Sequence, residues 1–500
     1  MRDYDKQRLL ELMASIAPGR GIAEHESDDE TVFLQNFLPV PDYRRVLELD
    51  TLLILGGRGV GKTELFRLLA NPDGRQTLVE NLSIRALPSL DSTIWIEGFG
   101  RTKQKGKIFP TPETVEARMK DADRIDWRTF WIGLMLGVMF QQKNEALNGI
   151  CDGVPEAICT ALANQLPLLS DWLPLARQNL EKLNYALDKL DDKLIETNRW
   201  LFVMYDEVDR LLLSYLELAA PIRELLAFWL DRWRRWERIR PKIFLRTDLF
   251  REDFLGFPDA SKLQGHQISL DWKAPWLYQL LVKRLANSGK EMTDYLSDVS
   301  GLISESHPSL GILPKLDESN FKLLMEKMVG KYMGSNPRKG YTYRWIPNHL
   351  KDAEGRIAPR SFLRLLSLAA KESLSKIETK SMTISVLLAP SDLQGALMDT
   401  SSDRIRELAH EEYPWIEALK PSLKGIKVPM AKTDLMNKLK STEWSEKPEK
   451  QPPTLNPSEL LQYLLQLGII ESRSDGRINM PDIYRYGFEV KRSGGIKRPK

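Results

Sequence analysis

Cysteine is almost missing from this 500-residue chain: Cys151 and Cys159 are the only two, with seven residues between them. So few thiols exclude a disulfide framework and a Cys-built metal site, and they suit a reducing compartment. Histidine is nearly as sparse. His25, His266, His307, His349 and His410 are scattered, which leaves no His-based metal cluster. Charge of one sign is lacking too, with 72 Lys and Arg against 69 Asp and Glu for a net +3. That balance argues against a protein that coats nucleic acid and against an acidic tail. Long apolar runs are absent: the longest, 130–140, is too short to span a bilayer. The N-terminus, Met1-Arg2-Asp3-Tyr4-Asp5, lacks the apolar core of a signal peptide. A soluble, cytoplasmic protein without a membrane partner is the expectation. No Ser/His/Asp constellation, zinc spacing or nuclease-like carboxylate–lysine motif stands out.

What is present is enough apolar sequence, 42% of residues, for two to four packed domains. One stretch organises them. The apolar run Thr51-Leu52-Leu53-Ile54-Leu55 leads into Gly56-Gly57-Arg58-Gly59-Val60-Gly61-Lys62-Thr63, and Glu64-Leu65-Phe66-Arg67-Leu68-Leu69-Ala70 follows. This predicts a buried strand, a glycine-rich loop and the start of a helix, the context that gives a P-loop pattern its mechanism. Glycines let successive N–H groups turn inward around phosphates, and the helix N-terminus adds partial positive charge. Residues 56–64 are therefore the expected nucleotide-binding residues. Lys62 is expected to reach the β- and γ-phosphates, and the Thr63 hydroxyl to ligate Mg²⁺. The guanine-selective Asn-Lys-x-Asp pattern is absent, which leans toward ATP.

Upstream, 5–15 reads as an amphipathic helix with Leu9, Leu10, Leu12 and Met13 on one side, and 23–37 as a second helix. In nucleotide-binding folds such a segment often lies against the base; core packing is the equal alternative here. Downstream, Thr93-Ile94-Trp95-Ile96-Glu97 is a strand ended by Gly98 and Gly100. A long helical region follows, with an apolar helix over 127–140 and a leucine-periodic one over 175–195. The leucine stripe reads as packing. This helical insertion, about 100–198, is also a natural place for contacts with a protein partner.

The second motif is Trp200-Leu201-Phe202-Val203-Met204-Tyr205-Asp206-Glu207-Val208-Asp209, an apolar strand delivering carboxylates at its C-terminal end, where ligands bind in open α/β sheets. Asp206 is expected to hold Mg²⁺ and Glu207 to orient and deprotonate the attacking water. The helix over 221–238 carries Trp229, Trp233 and Trp236 at core spacing and arginines on its outer face. A further strand, Lys242-Ile243-Phe244-Leu245-Arg246-Thr247-Asp248, ends in polar residues. Thr247 and Asp248 are candidates to sense the γ-phosphate. Arg246 and Arg251 are rival candidates for a cation presented to a neighbouring subunit's nucleotide.

This order of P-loop, intervening strand, Asp-Glu strand and polar-ended strand resembles the AAA+/STAND branch of P-loop ATPases. Phe244-Leu245-Arg246-Thr247-Asp248-Leu249-Phe250 is similar to a segment of bacterial P-loop ATPases of defence and mobile-element gene clusters, and the likeness extends through Leu270-Asp271-Trp272, Tyr343-Arg344-Trp345-Ile346-Pro347 and Pro359-Arg360-Ser361-Phe362-Leu363. The resemblance spans roughly 25–370. It implies a parallel, additional-strand α/β core, an α-helical lid in which Arg360 touches the phosphates, and homo-oligomerisation. The large insertion departs from a minimal AAA+ core, so an arginine-finger assignment stays open.

The C-terminal part changes character. A linker is expected over 389–403, then helices over 404–419 and 432–439, and a helix from Pro457 to Gly468. Ser474-Asp475-Gly476 signals a hairpin. Helices followed by a hairpin suggest a winged helix, and Lys491, Arg492, Lys497, Arg498 and Lys500 form a basic tail able to grip DNA phosphates. The expected domains are 1–45, 46–275 with the insertion, 276–385 as the lid and 386–500. The expected activity is that of an ATP-hydrolysing switch controlling self-assembly or an effector protein. The alternatives are an initiator-like or transposition-regulator-like ATPase that binds DNA through the winged helix, and a nucleotide-locked scaffold.

Overall fold

The computed structural model describes residues 5–17, 29–84, 88–100, 107–142, 144–213, 215–250, 256, 260–378, 386–411, 413–447 and 450–493. Two compact units divide the chain: Pro39–Leu270, and Met1–Leu38 together with Asp271–Lys500.

The Pro39–Leu270 unit is built on a parallel sheet of β1 (Leu53–Gly56), β2 (Thr93–Phe99), β3 (Trp200–Tyr205), β4 (Ile239–Arg246) and β5 (Gln267–Ser269). Its order is β2-β3-β4-β1-β5. Near-continuous apolar strands fit a parallel sheet covered on both faces. β4 lies between the glycine-loop strand β1 and the Asp-Glu strand β3, the additional-strand arrangement expected from the sequence. Register pairs Gly56 with Arg246 and Tyr205 with Ile243, so the C-terminal ends of the three strands share one edge. β2 runs two residues further than expected. A Cβ on Gly98 would fall 2.7 Å from Val203 Cγ1, so glycine here allows close approach to β3 rather than ending the strand.

The inserted helices share the core of this sheet. The helix Arg124–Gln141, opened by an Asp123/Asp126 capping box, is buried all round from Phe130 to Met139. Its Trp131 meets Phe99 edge-on at 5.9 Å and Tyr205 at 5.8 Å, and Tyr205 in turn meets Trp229 at 6.0 Å. The expected 175–195 helix is two helices, Leu169–Gln178 and Leu180–Glu196. They break at Asn179, whose φ of −115° and ψ of 24° leave the helical region. Leu183, Leu187, Leu190 and Leu194 are buried, a packing stripe as read.

The helix Ala219–Arg235 buries Trp229, while Trp233 is half-buried against His266 at 4.0 Å. Its arginines are not simply solvated. Arg232 donates to Asn184 at 2.6 Å and Arg235 Nε to Asp188 at 2.7 Å, while buried Asp191 accepts the Glu237 and Arg238 N–H groups at 2.8 Å. This basic face therefore docks on the helix Leu180–Glu196.

In the other unit, the helix Lys6–Ala14 is capped by Asp5 and buries the four expected apolar residues. Ser367 Oγ, on the helix Pro359–Glu378, donates to Ala14 O at 2.6 Å. The helix Glu30–Asn36 covers the described end of the expected 23–37 span. The region read as a helical lid also holds an antiparallel hairpin of β6 (Ile303–His307) and β7 (Gly311–Pro314).

The expected linker is instead part of the helix Pro390–Glu411. Leu393, Ala396, Leu397, Ile405 and Leu408 are buried at helical spacing, and the loop-like Ser401 is buried because its hydroxyl donates to Ile483 O at 2.7 Å. The helices Ile416–Leu423, Lys432–Lys440 and Pro457–Gln466, with β8 (Lys427–Val428) after the first and a hairpin of β9 (Glu471–Ser472) and β10 (Ile478–Asn479) after the last, make the winged-helix arrangement. Lys491 and Arg492 are not a free tail: they form β11 (Lys491–Arg492) alongside β8, and Arg492 donates to both Asp482 oxygens at 2.9 Å. Lys497, Arg498 and Lys500 lie outside the described residues.

Candidate nucleotide site

The glycine loop leaves β1 at Gly56 and enters the helix Lys62–Ala70 through Gly61, the N-cap residue, at φ +96°. A side chain is strained in that conformation, and Gly61 has none with which to cap the helix. The first N–H groups of a helix lack intrahelical partners, so this end is built to meet an anion. Lys62 curls back over the loop, its Nζ donating to Gly56 O at 2.9 Å and Gly57 O at 3.0 Å. The side chain stays part-accessible, yet its ammonium is packed closely enough that burial lowers its pKa, against the pull of the Asp209 and Asp206 carboxylates.

Asp206 follows β3 directly, and its N–H donates to Phe99 O at 3.0 Å. The side chain is 3% exposed. Burial pushes its pKa up to about 6, opposed by Lys62 and by a hydrogen bond from the Thr63 hydroxyl. Its Oδ2 is buried with no hydrogen-bond partner. A hydroxyl on the first helical turn beside a carboxylate with an orphaned oxygen is a donor set that fits Mg²⁺. Among the described residues no group of three or more His, Cys, Asp or Glu could hold a metal ion.

Glu207 is buried in the left-handed conformation, φ +55° and ψ 27°, and opens the turn Val208–Arg210. Its Oε1 pairs with Arg210 Nη1 at 2.9 Å. Such strain on a residue other than glycine concentrates at functional positions.

At the end of β4, Arg246 is buried rather than presented to a neighbour. Its Nε and Nη2 reach the two Asp248 oxygens at 3.1 and 2.7 Å, and Nη1 reaches Asp209 at 3.4 Å. Within its own unit the Arg246 guanidinium is thus engaged by Asp248 and Asp209. Arg251, the rival, lies outside the described residues. Thr247 is half-buried at the start of the turn Thr247–Leu249, one residue past the Gly56–Arg246 register pair.

The structure thus brings together the loop 56–64, Asp206 and Glu207, with Thr247 at the neighbouring strand end. Arg360 belongs to the other unit, on the first turn of the helix Pro359–Glu378, where it faces Glu407 at 3.9 Å. Arg210 and the Arg246–Asp209–Asp248 cluster were not foreseen as such. The only signal for Arg210 is its place three residues after Glu207, the spacing of one helical turn. Among the described residues no helix is long and apolar enough to cross a membrane.

No family profile and no curated protein matches the chain. Among solved structures, it is similar to the Aeropyrum pernix ORC2 protein in its ADPNP–ADP complexes, at 14% identity and a TM-score of 0.30 over 88% of this chain and 89% of that one. It is also similar to the ADP form of that protein, at 13% and 0.30 over 96% and 94%. The Aeropyrum pernix ORC1 protein in complex with DNA gives 14% and 0.31 over 91% and 94%.

Proposed function

We propose that this chain is a Mg²⁺-dependent ATPase of the AAA+/STAND type that works as a molecular switch. The observation that supports it most is the meeting of Lys62, Thr63 and the orphaned Asp206 oxygen at one end of the sheet. In this reading the N–H groups of 57–64 cradle the phosphates, and Lys62 exchanges its two loop carbonyls for β- and γ-phosphate oxygens. Thr63 and Asp206 hold Mg²⁺, which neutralises phosphate charge when bound. Glu207 orients the attacking water and accepts its proton. Thr247 senses the γ-phosphate from the end of β4. Nucleotide state then controls self-assembly or an effector protein. The defence or mobile-element setting rests on the sequence resemblance alone.

Steady-state ATP turnover tests this, with Lys62→Ala as the blank. Glu207→Gln is expected to keep ATP affinity and lose turnover by at least ~100-fold, the scale of a missing general base. Wild-type turnover in that variant removes Glu207 from the role.

A second reading, DNA binding, is favoured by the winged-helix arrangement. The helix Pro457–Gln466 carries Glu459 and no Lys or Arg, so contact would rest on backbone phosphates and on residues such as Lys432, Lys438 and Arg473. Duplex DNA added to the same assay separates the two: salt-sensitive stimulation favours this reading, and indifference favours a protein-gated switch.

A further inference from the structure

The helix Pro457–Gln466 carries no Lys or Arg, but a basic face lies beside it in the same unit. From 327 to 351 the chain holds Lys327, Lys331, Arg338, Lys339, Arg344 and Lys351 and not one Asp or Glu. The balanced total charge hides this local excess. Its centre is the helix Thr342–Leu350. Tyr343, Ile346, Pro347 and Leu350 are buried at i, i+3, i+4 and i+7, which leaves Arg344, Asn348 and Lys351 exposed on the opposite face. The segment before the helix is tied down. Thr342 donates through its N–H to Lys331 O at 3.1 Å and through its hydroxyl to Gly330 O at 2.7 Å, and Met333 N–H donates to Gly340 O at 2.9 Å. Tyr332 and Tyr341 meet across this closure at 5.0 Å. Exposed Lys331 and Lys339 are thereby held at the start of the same helix.

Among the described residues, none of Lys331, Lys339, Arg344 and Lys351 pairs with a carboxylate. The acids that follow are occupied, Asp352 and Glu354 both meeting Arg356, at 3.2 and 2.6 Å. The face runs on into the winged helix: Ala353 N–H donates to Gly468 O at 3.0 Å, just past the helix Pro457–Gln466, and His349 meets Asp482 at 3.5 Å. We propose that Lys331, Lys339, Arg344 and Lys351 form a docking surface for the phosphate backbone of duplex DNA. This inference rests on the DNA-binding reading and moves the main contact from the winged helix to the helix Thr342–Leu350 in the lid. A row of cations held in place suits a polyanion, because few side chains lose freedom on binding. Arg344 and Lys351 stand roughly 10 Å apart along the helix axis, a span close to the ~12 Å width of the major groove and too long for one small phosphate to bridge. The exposed residues among the cations, Ser335, Asn336 and Asn348, are polar, whereas an anionic bilayer calls for an apolar face.

The test measures binding of the full-length protein to a fluorescent duplex of about 30 base pairs, in two unrelated sequences, by anisotropy between about 50 and 200 mM salt. With four phosphate contacts, affinity should fall roughly 100-fold across that range, and equally for both sequences. Arg344→Gln/Lys351→Gln removes two contacts, so the fall should shrink to about ten-fold and the salt slope by about 2. Lys331→Gln/Lys339→Gln should do the same. All four residues are exposed, so thermal melts should match wild type in both variants. If wild type binds duplex and folded Arg344→Gln/Lys351→Gln binds with unchanged affinity and slope, the lid face is wrong and the DNA-binding reading stands. A loss confined to Lys432→Gln/Lys438→Gln places the contact on the winged helix and likewise overturns the lid face. If wild type binds no duplex at the lowest salt, the DNA-binding reading falls and the docking surface with it. Phosphatidylserine vesicles that bind wild type in that case, and not Arg344→Gln/Lys351→Gln, mark the face as a membrane surface instead.

Discussion

Asp206→Asn should make the nucleotide-free protein more stable while removing its response to Mg²⁺. Burial lifts the Asp206 pKa from 3.8 to about 6 even though Lys62 and the Thr63 hydroxyl favour its charged form. A group whose folded pKa exceeds its unfolded value binds more protons when folded, so stability falls as pH rises between those values. Here the window is 3.8 to about 6, and the whole cost is present above it. A shift of roughly two units amounts to about 3 kcal/mol. Asparagine keeps the shape and one acceptor oxygen, and Asp209 remains as a counter-charge near Lys62. For a unit of 150–250 residues, 3 kcal/mol corresponds to roughly 6–12 °C in Tm. Melts without nucleotide across pH 4 to 8 should show the variant gaining on wild type as pH rises, then holding a constant lead. With Mg²⁺ and ATP the order should reverse, because only wild type gains the binding energy. A variant that melts at or below wild type at pH 7.5 would show that the Asp206 charge is well compensated in the free protein, and the argument for an open cation position would fail.

Other consequences are equally measurable. Trp131→Ala should cost about 3–5 kcal/mol in denaturant unfolding, because this ring joins the inserted helices to β2 and β3. A near-neutral effect would mean that the insertion is a separable module. Gly61→Ala forces a side chain into φ +96°, about 1–2 kcal/mol of strain, and should weaken ATP binding about ten-fold in calorimetry with little loss of fold. Arg246→Ala strands Asp248 and Asp209 beside each other and should destabilise by about 3–5 kcal/mol. Wild-type stability in that variant, with activity restored on mixing with another subunit, would reopen a role in trans. Lys242 is fully buried, bound to Glu48 O and Thr51 O, and burial pushes its pKa down to about 7. Because the unfolded lysine keeps its proton to about pH 10.5, this residue makes stability rise with pH from about 7 to 10.5. Lys242→Met should flatten that rise in urea midpoints, and an unchanged slope would contradict the assignment.

The sheet and its loop were legible because their signals are local. An apolar run into Gly-x-x-x-x-Gly-Lys-Thr specifies a strand, a turn and a helix start within twenty residues or so, and Asp206-Glu207 closes an equally plain strand. Residues 389–403 misled because Pro390, Ser391, Ser401 and Ser402 carry loop composition. Their helix becomes clear only once Ser401 finds a carbonyl 82 positions away. Tertiary partners overrode local propensity there. Asn179 worked in the opposite direction, interrupting a leucine period that reads as continuous. The basic residues were the least legible. Arg246 and Arg492 look available in the sequence, yet Arg246 is held by Asp248 two residues on and by Asp209, which the fold brings near, and Arg492 by Asp482. Charge pattern alone gives no means of telling a presented cation from a paired one.

The most direct test of the account is a crystal structure with a non-hydrolysable ATP analogue and Mn²⁺, with the metal located by its anomalous signal. The predicted result is a metal peak between the Thr63 hydroxyl and the Asp206 carboxylate, with Lys62 Nζ moved from the Gly56 and Gly57 carbonyls onto phosphate oxygens. A nucleotide bound elsewhere, or a metal peak away from Asp206, would contradict it.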